Sequence, residues 1–147
     1  MDAIGKKRTR VAAYGIVMED QRILLCRLSP RVTHAVGHWT LPGGGVEFGE
    51  EPAQAVEREV YEETGLRVRT EEILNVSSRV VDWAEVRVHA IRIIYRTRLV
   101  GADRTLQYEV DGSTDLCAWH DPSEAVGLPL SDVSSRALEM LGRGVLG

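Results

Sequence analysis

The sequence predicts a single α/β (α+β) domain in which a mixed β-sheet is covered on two sides by helices. Strand-like runs separated by polar turns occur in both halves of the chain, and two amphipathic helices are predicted far apart in the sequence. The length of 147 residues and the hydrophobic content of 44% suit one buried core and leave no room for a second. The domain is expected to span residues 1–147.

Two strands and a glycine-rich segment are predicted in the first third of the chain. Residues 11–18 and 22–28 are rich in aliphatic side chains and flank a short polar turn, so a hairpin is expected. Residues 29–37 form a loop. The segment 39–45 ends in three consecutive glycines, which allow a tight backbone and a close approach of its amides and carbonyls to a phosphate or a metal ion.

A helix of about three turns is predicted next. Pro52 stands in its first turn, and Gly65 lies just past its end. Helical periodicity places three carboxylates on one face, Glu59, Glu62 and Glu63, and three apolar residues on the adjacent face, Ala53, Val56 and Val60. Crowded carboxylates repel one another, so this face is best stabilised by a hard cation that prefers oxygen ligands, Mg²⁺ or Mn²⁺.

The second half is predicted to contain three further strands and one helix. Residues 66–81 are expected to be extended, with a break at 82–85, and a long strand covers 86–100. The apolar residues of the long strand change parity near Ala90, which predicts a bulge there.

The C-terminal part is expected to consist of a polar loop at 101–113, a short strand at 114–120 and a helix at 131–141. Ser131 is the predicted N-cap of this helix. Its predicted buried stripe consists of Val133, Ala137, Met140 and Leu141.

Arg58 lies beside Glu59 and comes within reach of Glu50 if the preceding loop folds back onto the helix. A bidentate pair between Arg58 and Glu50 would fix the loop and orient the acidic face. An arbitrary acidic helix face is usually a solvated surface. Here that alternative does not explain why the glycines, Glu50 and Arg58 stand at these offsets.

Eight residues fit the pattern G-x5-E-x7-R-E-aliphatic-x-E-E-x-G-aliphatic without a departure: Gly44, Glu50, Arg58, Glu59, Glu62, Glu63, Gly65 and Leu66. This segment resembles a Nudix box, and the chain resembles the MutT-like Nudix hydrolases. The resemblance implies the Nudix fold. It also implies metal-dependent hydrolysis of the pyrophosphate bond in a nucleoside diphosphate linked to another group, by attack of water at phosphorus.

The same resemblance implies roles for the box residues. Glu59 and Glu63 would bind the metal, with Glu62 as a further ligand or as the group that helps to deprotonate water, and the carbonyl of Gly43 as an extra ligand. Catalytic roles fall to Glu62, Glu59, Arg58 and Glu50, and which glutamate is the base stays open. The alternative is a non-catalytic, nucleotide-binding regulatory module, but such modules usually have a degraded box.

Four residues outside the box are candidates for substrate binding. Arg27 ends a strand shortly before the glycines, where it could bind a phosphate. Trp39 and Trp83 would either stack on a nucleobase or pack. Glu109 precedes the last strand, in a region from which Nudix enzymes often supply another carboxylate; a solvated turn is the alternative. Two neighbouring acids are weaker candidates for the same role, Asp111 and Asp115.

Three arginines alternate along the long strand, Arg92, Arg96 and Arg98. They could bind phosphates, but a solvent-facing ladder is favoured. The residue types that mark ADP-ribose or diadenosine polyphosphate hydrolases in this family are missing at positions 81–84, and the coenzyme A pattern is not evident. A general nucleotide remains, either a (deoxy)nucleoside triphosphate or a nucleotide sugar.

Composition limits the partners. A net charge of −4 and a pI near 5.6 disfavour a nucleic acid polymer and leave a small phosphorylated molecule as the expected ligand. No apolar run reaches the roughly 20 residues of a membrane span, and no signal-peptide pattern is present. Cys26 and Cys117 are expected to be reduced core thiols, which favours a cytoplasmic location. The sequence leaves open a homodimer.

Overall fold

A computed structural model of the chain describes residues 5–144, so the first four and last three residues of the predicted 1–147 domain lie outside it. Four strands form a mixed sheet in the order β5 (Gly43–Gly45), β1 (Lys6–Ile16), β7 (Val86–Leu99) and β6 (Val68–Trp83). β1 and β7 are parallel, and the other neighbours are antiparallel. The predicted mixed sheet is therefore confirmed.

A second, antiparallel sheet was not predicted. It consists of β2 (Met18–Glu19), β3 (Arg22–Leu28), β4 (Trp39–Thr40) and β8 (Thr114–His120), with β3 in contact with the other three. Three helices complete the fold: α1 (Pro52–Thr64), α2 (Pro122–Ala125) and α3 (Asp132–Gly142). Within residues 5–144, no helix is long and apolar enough to cross a membrane.

The central residues of β3 are buried on both faces, because α1 and α3 cover opposite sides. Leu24 of β3 packs in the same cluster as Val56 and Val60 of α1. The next residue, Leu25, points the other way and packs with Val133 of α3. Alternate side chains of β3 thus pack into two separate cores, one under α1 and one under α3. This confirms the predicted coverage of the sheet by helices on two sides.

The predicted hairpin between residues 11–18 and 22–28 is wrong in its extent. Only Met18 and Glu19 pair with Ile23 and Arg22. β1 ends at Ile16 and belongs to the mixed sheet, where its long partner is β7. The two strands diverge because each has its long neighbour in a different sheet: β1 pairs with β7, and β3 pairs with β8.

The predicted bulge near Ala90 is also wrong. β7 keeps an unbroken register with β1 through Ala90, and the buried positions continue to alternate through Arg92. The apolar pattern changes parity only because a charged residue occupies a buried site. The irregular pairing lies instead on β6, between Thr70 and Asn75.

Two further boundaries differ from the prediction. β6 continues through residue 82 to Trp83, which pairs with Val86, so the predicted break shrinks to a two-residue turn. Ser131 caps α3 by accepting the Ser134 N–H at 3.3 Å, as expected. Val133 and Ala137 are buried, but Leu138 completes the stripe, and the predicted Met140 and Leu141 are only partly buried.

The two cysteines face each other across the β3–β8 ladder. Cys26 is paired in register with Cys117, and their Sγ atoms are 3.0 Å apart. Both are buried free thiols, and burial is the main cause that raises the pKa of Cys26. They are core thiols, as the sequence suggested.

The contact between α1 and β1 depends on Gly15. A Cβ at this position would lie 2.9 Å from Thr97 Cγ2 and 2.9 Å from Val56 Cγ1. Both neighbours are β-branched and cannot easily turn away. We expect Gly15→Ala to lower the free energy of unfolding by about 1–3 kcal/mol, measured by urea denaturation.

Gly127→Ala is the matched control, because the nearest atom to a Cβ there is Glu124 O at an ordinary 3.5 Å. Its stability should match that of the parent. Equal stability of Gly15→Ala and Gly127→Ala would show that α1 can move away from β1 at little cost.

Candidate active site

Glu63 lies at the centre of the acidic face of α1. Its side chain is buried, with 1% of the residue exposed. Oε1 accepts a hydrogen bond from the Gly43 N–H at 3.0 Å. Oε2 is buried and has no hydrogen-bond partner among the described residues. A buried carboxylate oxygen without a partner is costly, which marks this atom as a place where a cation would be stabilising.

The charge of Glu63 is also opposed by its neighbour. Burial first, and the charge of Glu59 second, raise the pKa of Glu63 well above its ordinary value, while the Gly43 hydrogen bond acts in the opposite direction. The backbone of Glu63 is held as well, because its carbonyl oxygen accepts a hydrogen bond from the Cys117 thiol at 3.1 Å. Glu63 is therefore held firmly in place, with an oxygen that lacks a partner.

Arg58 connects the loop before α1 to the acidic face. Its Nε donates to one oxygen of Glu50 at 2.7 Å and its Nη2 to the other at 3.0 Å, so the predicted bidentate contact is present. Nη2 also donates to Gly45 O at 3.3 Å. The hydrogen bond from Arg58, with a second from the Glu47 N–H, lowers the pKa of Glu50 to about 2.

The remaining amino group of Arg58 reaches the other glutamates. Nη1 donates to Glu59 at 3.0 Å and to Glu62 at 3.3 Å. Among residues 5–144, no three His, Cys, Asp or Glu side chains converge as a ready metal-binding group. In this structure the guanidinium is the cation that Glu59 and Glu62 contact.

The glycines of β5 are required by the space around them. A Cβ on Gly43 would lie 2.3 Å from Ala13 O, and the Gly43 φ of 150° is rare for other residues. A Cβ on Gly44 would lie 3.0 Å from the Glu59 carboxyl carbon. Side chains here would separate β5 from β1 and from the carboxylates.

A cleft of about 440 Å³ adjoins this region. Gly43 and Glu63 contribute to its wall. Other residues that line the cleft include Arg10, His34, Arg79, Trp83, Arg92, Ser131 and Asp132. Glu63, alone of the three carboxylates on the acidic face, thus borders a cavity that carries several arginines and an aromatic ring.

The two candidate tryptophans lie in different environments. Trp83 lines the cleft. The centroid of its ring lies 5.1 Å from the centroid of the His34 ring and 5.8 Å from the guanidinium carbon of Arg10. The ring of Trp39 meets the ring of His120 edge-on, with 4.7 Å between their centroids, and packs against the core next to α3. It does not line the cleft, which favours the packing alternative for Trp39.

Arg27 and Asp115 form an ion pair at 2.9 Å and do not line the cleft. Each neutralises the other, so the expected phosphate contact of Arg27 has no support here. Glu109 lies closer to the acidic face: burial first, then the charges of Glu59 and Glu62, raise the pKa of Glu109.

Arg92 was expected in a solvent-facing ladder and is instead 7% exposed. Its Nη2 donates to Asp132 Oδ2 at 2.5 Å and to Ser77 Oγ at 3.2 Å. Arg98 remains mostly exposed, and Arg96 pairs with Glu72. The sequence signal for Arg92 was its position between Ile91 and Ile93, in the most apolar stretch of the strand.

Comparison with known proteins decides the family. A model of the NUDIX domain matches residues 6–141. This chain belongs to the Nudix family. The predicted fold is confirmed with it, and so is the prediction of a pyrophosphohydrolase that acts on nucleotide-type substrates.

Two relatives illustrate the similarity. The nucleoside triphosphatase NudI of Escherichia coli O17:K52:H18 is 29% identical over 140 residues, which are 92% of this chain and 98% of the relative. The human 8-oxo-dGDP phosphatase NUDT18 is 31% identical over 112 residues, 76% of this chain. These residues make up only 32% of the human protein.

Solved structures agree with this membership. A MutT NUDIX hydrolase from Burkholderia pseudomallei superimposes with a TM-score of 0.69 at 27% identity, covering 89% of this Nudix chain and 96% of the other. A MutT protein from Methanosarcina mazei Go1 gives a TM-score of 0.72 at 27% identity, covering 94% of this chain and 96% of the other.

The contacts of Arg58 predict a double effect of its removal. Arg58→Ala should lower both nucleotide hydrolysis and the melting temperature, because Glu50 loses its partner and β5 loses the bond to Gly45 O. Arg58→Lys should restore only part of each, since a point charge cannot replace the bidentate fork. Calorimetry and steady-state assays measure both properties. If Arg58→Ala kept the turnover and the melting temperature of the parent, the assignment of Arg58 to the active site would be wrong.

Proposed function

We propose that this Nudix enzyme hydrolyses a nucleoside triphosphate or a related nucleoside diphosphate derivative in a reaction that depends on Mg²⁺ or Mn²⁺. The observation that carries the metal requirement is Glu63 Oε2, a buried carboxylate oxygen that has no hydrogen-bond partner within residues 5–144 and lies beside the like charge of Glu59. A divalent cation would relieve both costs at once.

The donor set fits a hard cation. Glu59 and Glu63 would hold it, with the Gly43 carbonyl and, where it does not act as the base, Glu62 as further oxygen ligands. No thiol or imidazole competes in this set. When bound, such an ion neutralises pyrophosphate charge and makes water a stronger nucleophile. Because Arg58 contacts Glu59 and Glu62, it would orient these carboxylates from behind, together with Glu50.

The three glutamates differ in their access to solvent. The side chain of Glu62 is 46% exposed, against 17% for Glu59, while Glu63 is buried. A general base must reach the water from which it takes a proton. This difference favours Glu62 as the base and leaves Glu59 and Glu63 as ligands.

The cleft supports a nucleotide as the substrate. Trp83, several arginines and Glu63 line the same cleft, so a base could stack on the ring while phosphates extend toward Glu63. The relatives named for nucleoside triphosphates and for 8-oxo-dGDP support the same substrate class. Glu109 stays a candidate for a further carboxylate. The cytoplasmic location and a homodimer stay predictions.

A panel of nucleotides with Mg²⁺, Mn²⁺ or EDTA tests the proposal. We expect hydrolysis only with a divalent ion. For a triphosphate, phosphate released directly reports loss of the terminal phosphate, and phosphate released only after added inorganic pyrophosphatase reports pyrophosphate. For a nucleotide sugar, which has no terminal phosphate, phosphate released after added phosphatase reports cleavage of the pyrophosphate bond. A rise in melting temperature with no product would instead indicate a binding module.

Glu63→Gln should abolish turnover, because the amide keeps the shape of the side chain but not the charge that binds the cation. Without metal, stability should be unchanged or higher, since repulsion from Glu59 is removed. The matched control is Glu57→Gln on the same helix, whose carboxylate accepts from Thr70 N and Oγ1 at 2.9 Å. The control should keep its turnover. Near-normal turnover of Glu63→Gln would exclude Glu63 as a ligand.

Trp83→Ala should raise KM for the best nucleotide by about 5- to 150-fold, the value of one base stack. The kcat should stay nearly the same, because stacking is equal in the ground and transition states. Trp83→Phe, which keeps a flat ring, should recover most of the loss. A KM for Trp83→Ala within twofold of the parent would assign Trp83 to packing alone.

A further inference from the structure

Arg10 is a half-buried cation of β1 in the wall of the cleft, and it forms no ion pair within residues 5–144. By contrast, Arg58 and Arg92 each pair with a carboxylate. Arg79 lines the cleft as well but is exposed, so that water screens its charge. A charge that is partly withdrawn from water and has no counter-charge costs free energy. Arg10 is therefore charged and available to an anion in the cleft.

Three neighbours fix the position of the Arg10 guanidinium. Its carbon lies 5.8 Å from the centroid of the Trp83 ring. Its Nη2 would lie 3.2 Å from a Cβ on Gly45, so the group also rests against β5. Burial raises the pKa of Tyr14, and the charge of Arg10 and a side-chain hydrogen bond with Arg10 act in the opposite direction, which places the guanidinium at the Tyr14 hydroxyl. The guanidinium is thus held against the ring and the glycine strand at once.

This position lies on the path of a nucleotide. In the proposed function the base stacks on Trp83 and the pyrophosphate reaches Glu63, which is hydrogen-bonded to Gly43 of β5. The α-phosphate is joined to the base through the ribose alone, so a group that touches both Trp83 and β5 lies beside it. A guanidinium whose flat face rests near an aromatic ring still presents N–H groups at its edge, and these match phosphate oxygens.

We propose that Arg10 binds the α-phosphate of the nucleotide and so connects the stacked base to the metal site. Its N–H groups donate to the phosphate oxygens that are not part of the anhydride bond. Because the guanidinium is already held in place, little conformational freedom is lost when the phosphate binds. The enzyme then recognises a nucleoside phosphate as one unit, rather than a base and a pyrophosphate separately. This inference rests on the proposed nucleotide hydrolysis.

A purely structural role for Arg10 makes a different prediction. An arginine that only supported Trp83 and Tyr14 would, when removed, weaken every contact with the ring. A nucleoside and its monophosphate would then lose affinity equally. Loss of a phosphate contact weakens binding of the monophosphate beyond that of the nucleoside. The dissociation constant of the nucleoside divided by that of its monophosphate therefore separates the two roles.

This ratio can be measured without turnover. The full chain is titrated in EDTA with the common nucleoside monophosphates and with the matching nucleosides, followed by NMR, so that no metal ion contributes to phosphate binding. We expect the parent to bind its best monophosphate at least about tenfold more tightly than the nucleoside, as hydrogen bonds between charged groups provide.

Arg10→Gln should reduce the ratio to about one, because the amide keeps a polar group but has neither the charge nor the fork. Arg10→Lys should keep part of the ratio, since a point charge remains. The matched control is Arg8→Gln, which removes the same charge two residues earlier on β1, at an exposed position that does not line the cleft. It should keep the parental ratio. With Mg²⁺, Arg10→Gln should also lower kcat/KM for the best triphosphate by at least about tenfold.

The outcomes distinguish this inference from the proposed function. If no triphosphate is hydrolysed but Arg10→Gln alone removes the preference for the monophosphate, the proposed reaction is wrong and the phosphate contact stands. If triphosphates are hydrolysed and Arg10→Gln has the ratio of the parent, the contact with the α-phosphate is wrong. A parent without a preference for the monophosphate, or an equal loss of the ratio in Arg8→Gln, would overturn the inference as well.

Discussion

The burial of Glu63 is the constraint on which the rest of the site depends. A carboxylate can be held in the interior only where the backbone supplies a donor, and here that donor is the N–H of Gly43. The donor reaches it only because β5 lies directly against β1, which the missing side chain of Gly43 allows. The glycines of β5, the position of α1 and the acidic face therefore depend on one another.

Arg58 balances the like charges that this burial brings together. It contacts Glu50, Glu59 and Glu62 at once, so it fixes the loop and offsets the charges of all three carboxylates. This part of the site was predictable from the sequence. The partners lie within eight residues of Arg58 along the chain, and helix geometry with one folded-back loop is enough to bring them together.

The rest of the site depends on distant pairs that local patterns do not reveal. Arg92 and Asp132 are 40 residues apart, and an arginine in a strand ordinarily indicates an exposed position. The hidden ion pair also produced the false prediction of a bulge, because it replaced an apolar residue on a buried face. Similarly, β1 and β3 looked like one hairpin, since a strand buried on both faces carries no alternation that would identify its sheet.

The position of β7 gives its two faces different roles in the fold. Ile93 and Tyr95 face the core under α1, whereas Arg92 and Ile94 face the side of α3 and the cleft. Alternation along a single strand thus places residues that support the acidic helix and residues that line the cleft next to each other but on opposite faces. The residues of β7 that pack under α1 are therefore separated from those that face α3 by the thickness of the strand alone, although both sets lie in the same few residues of the sequence.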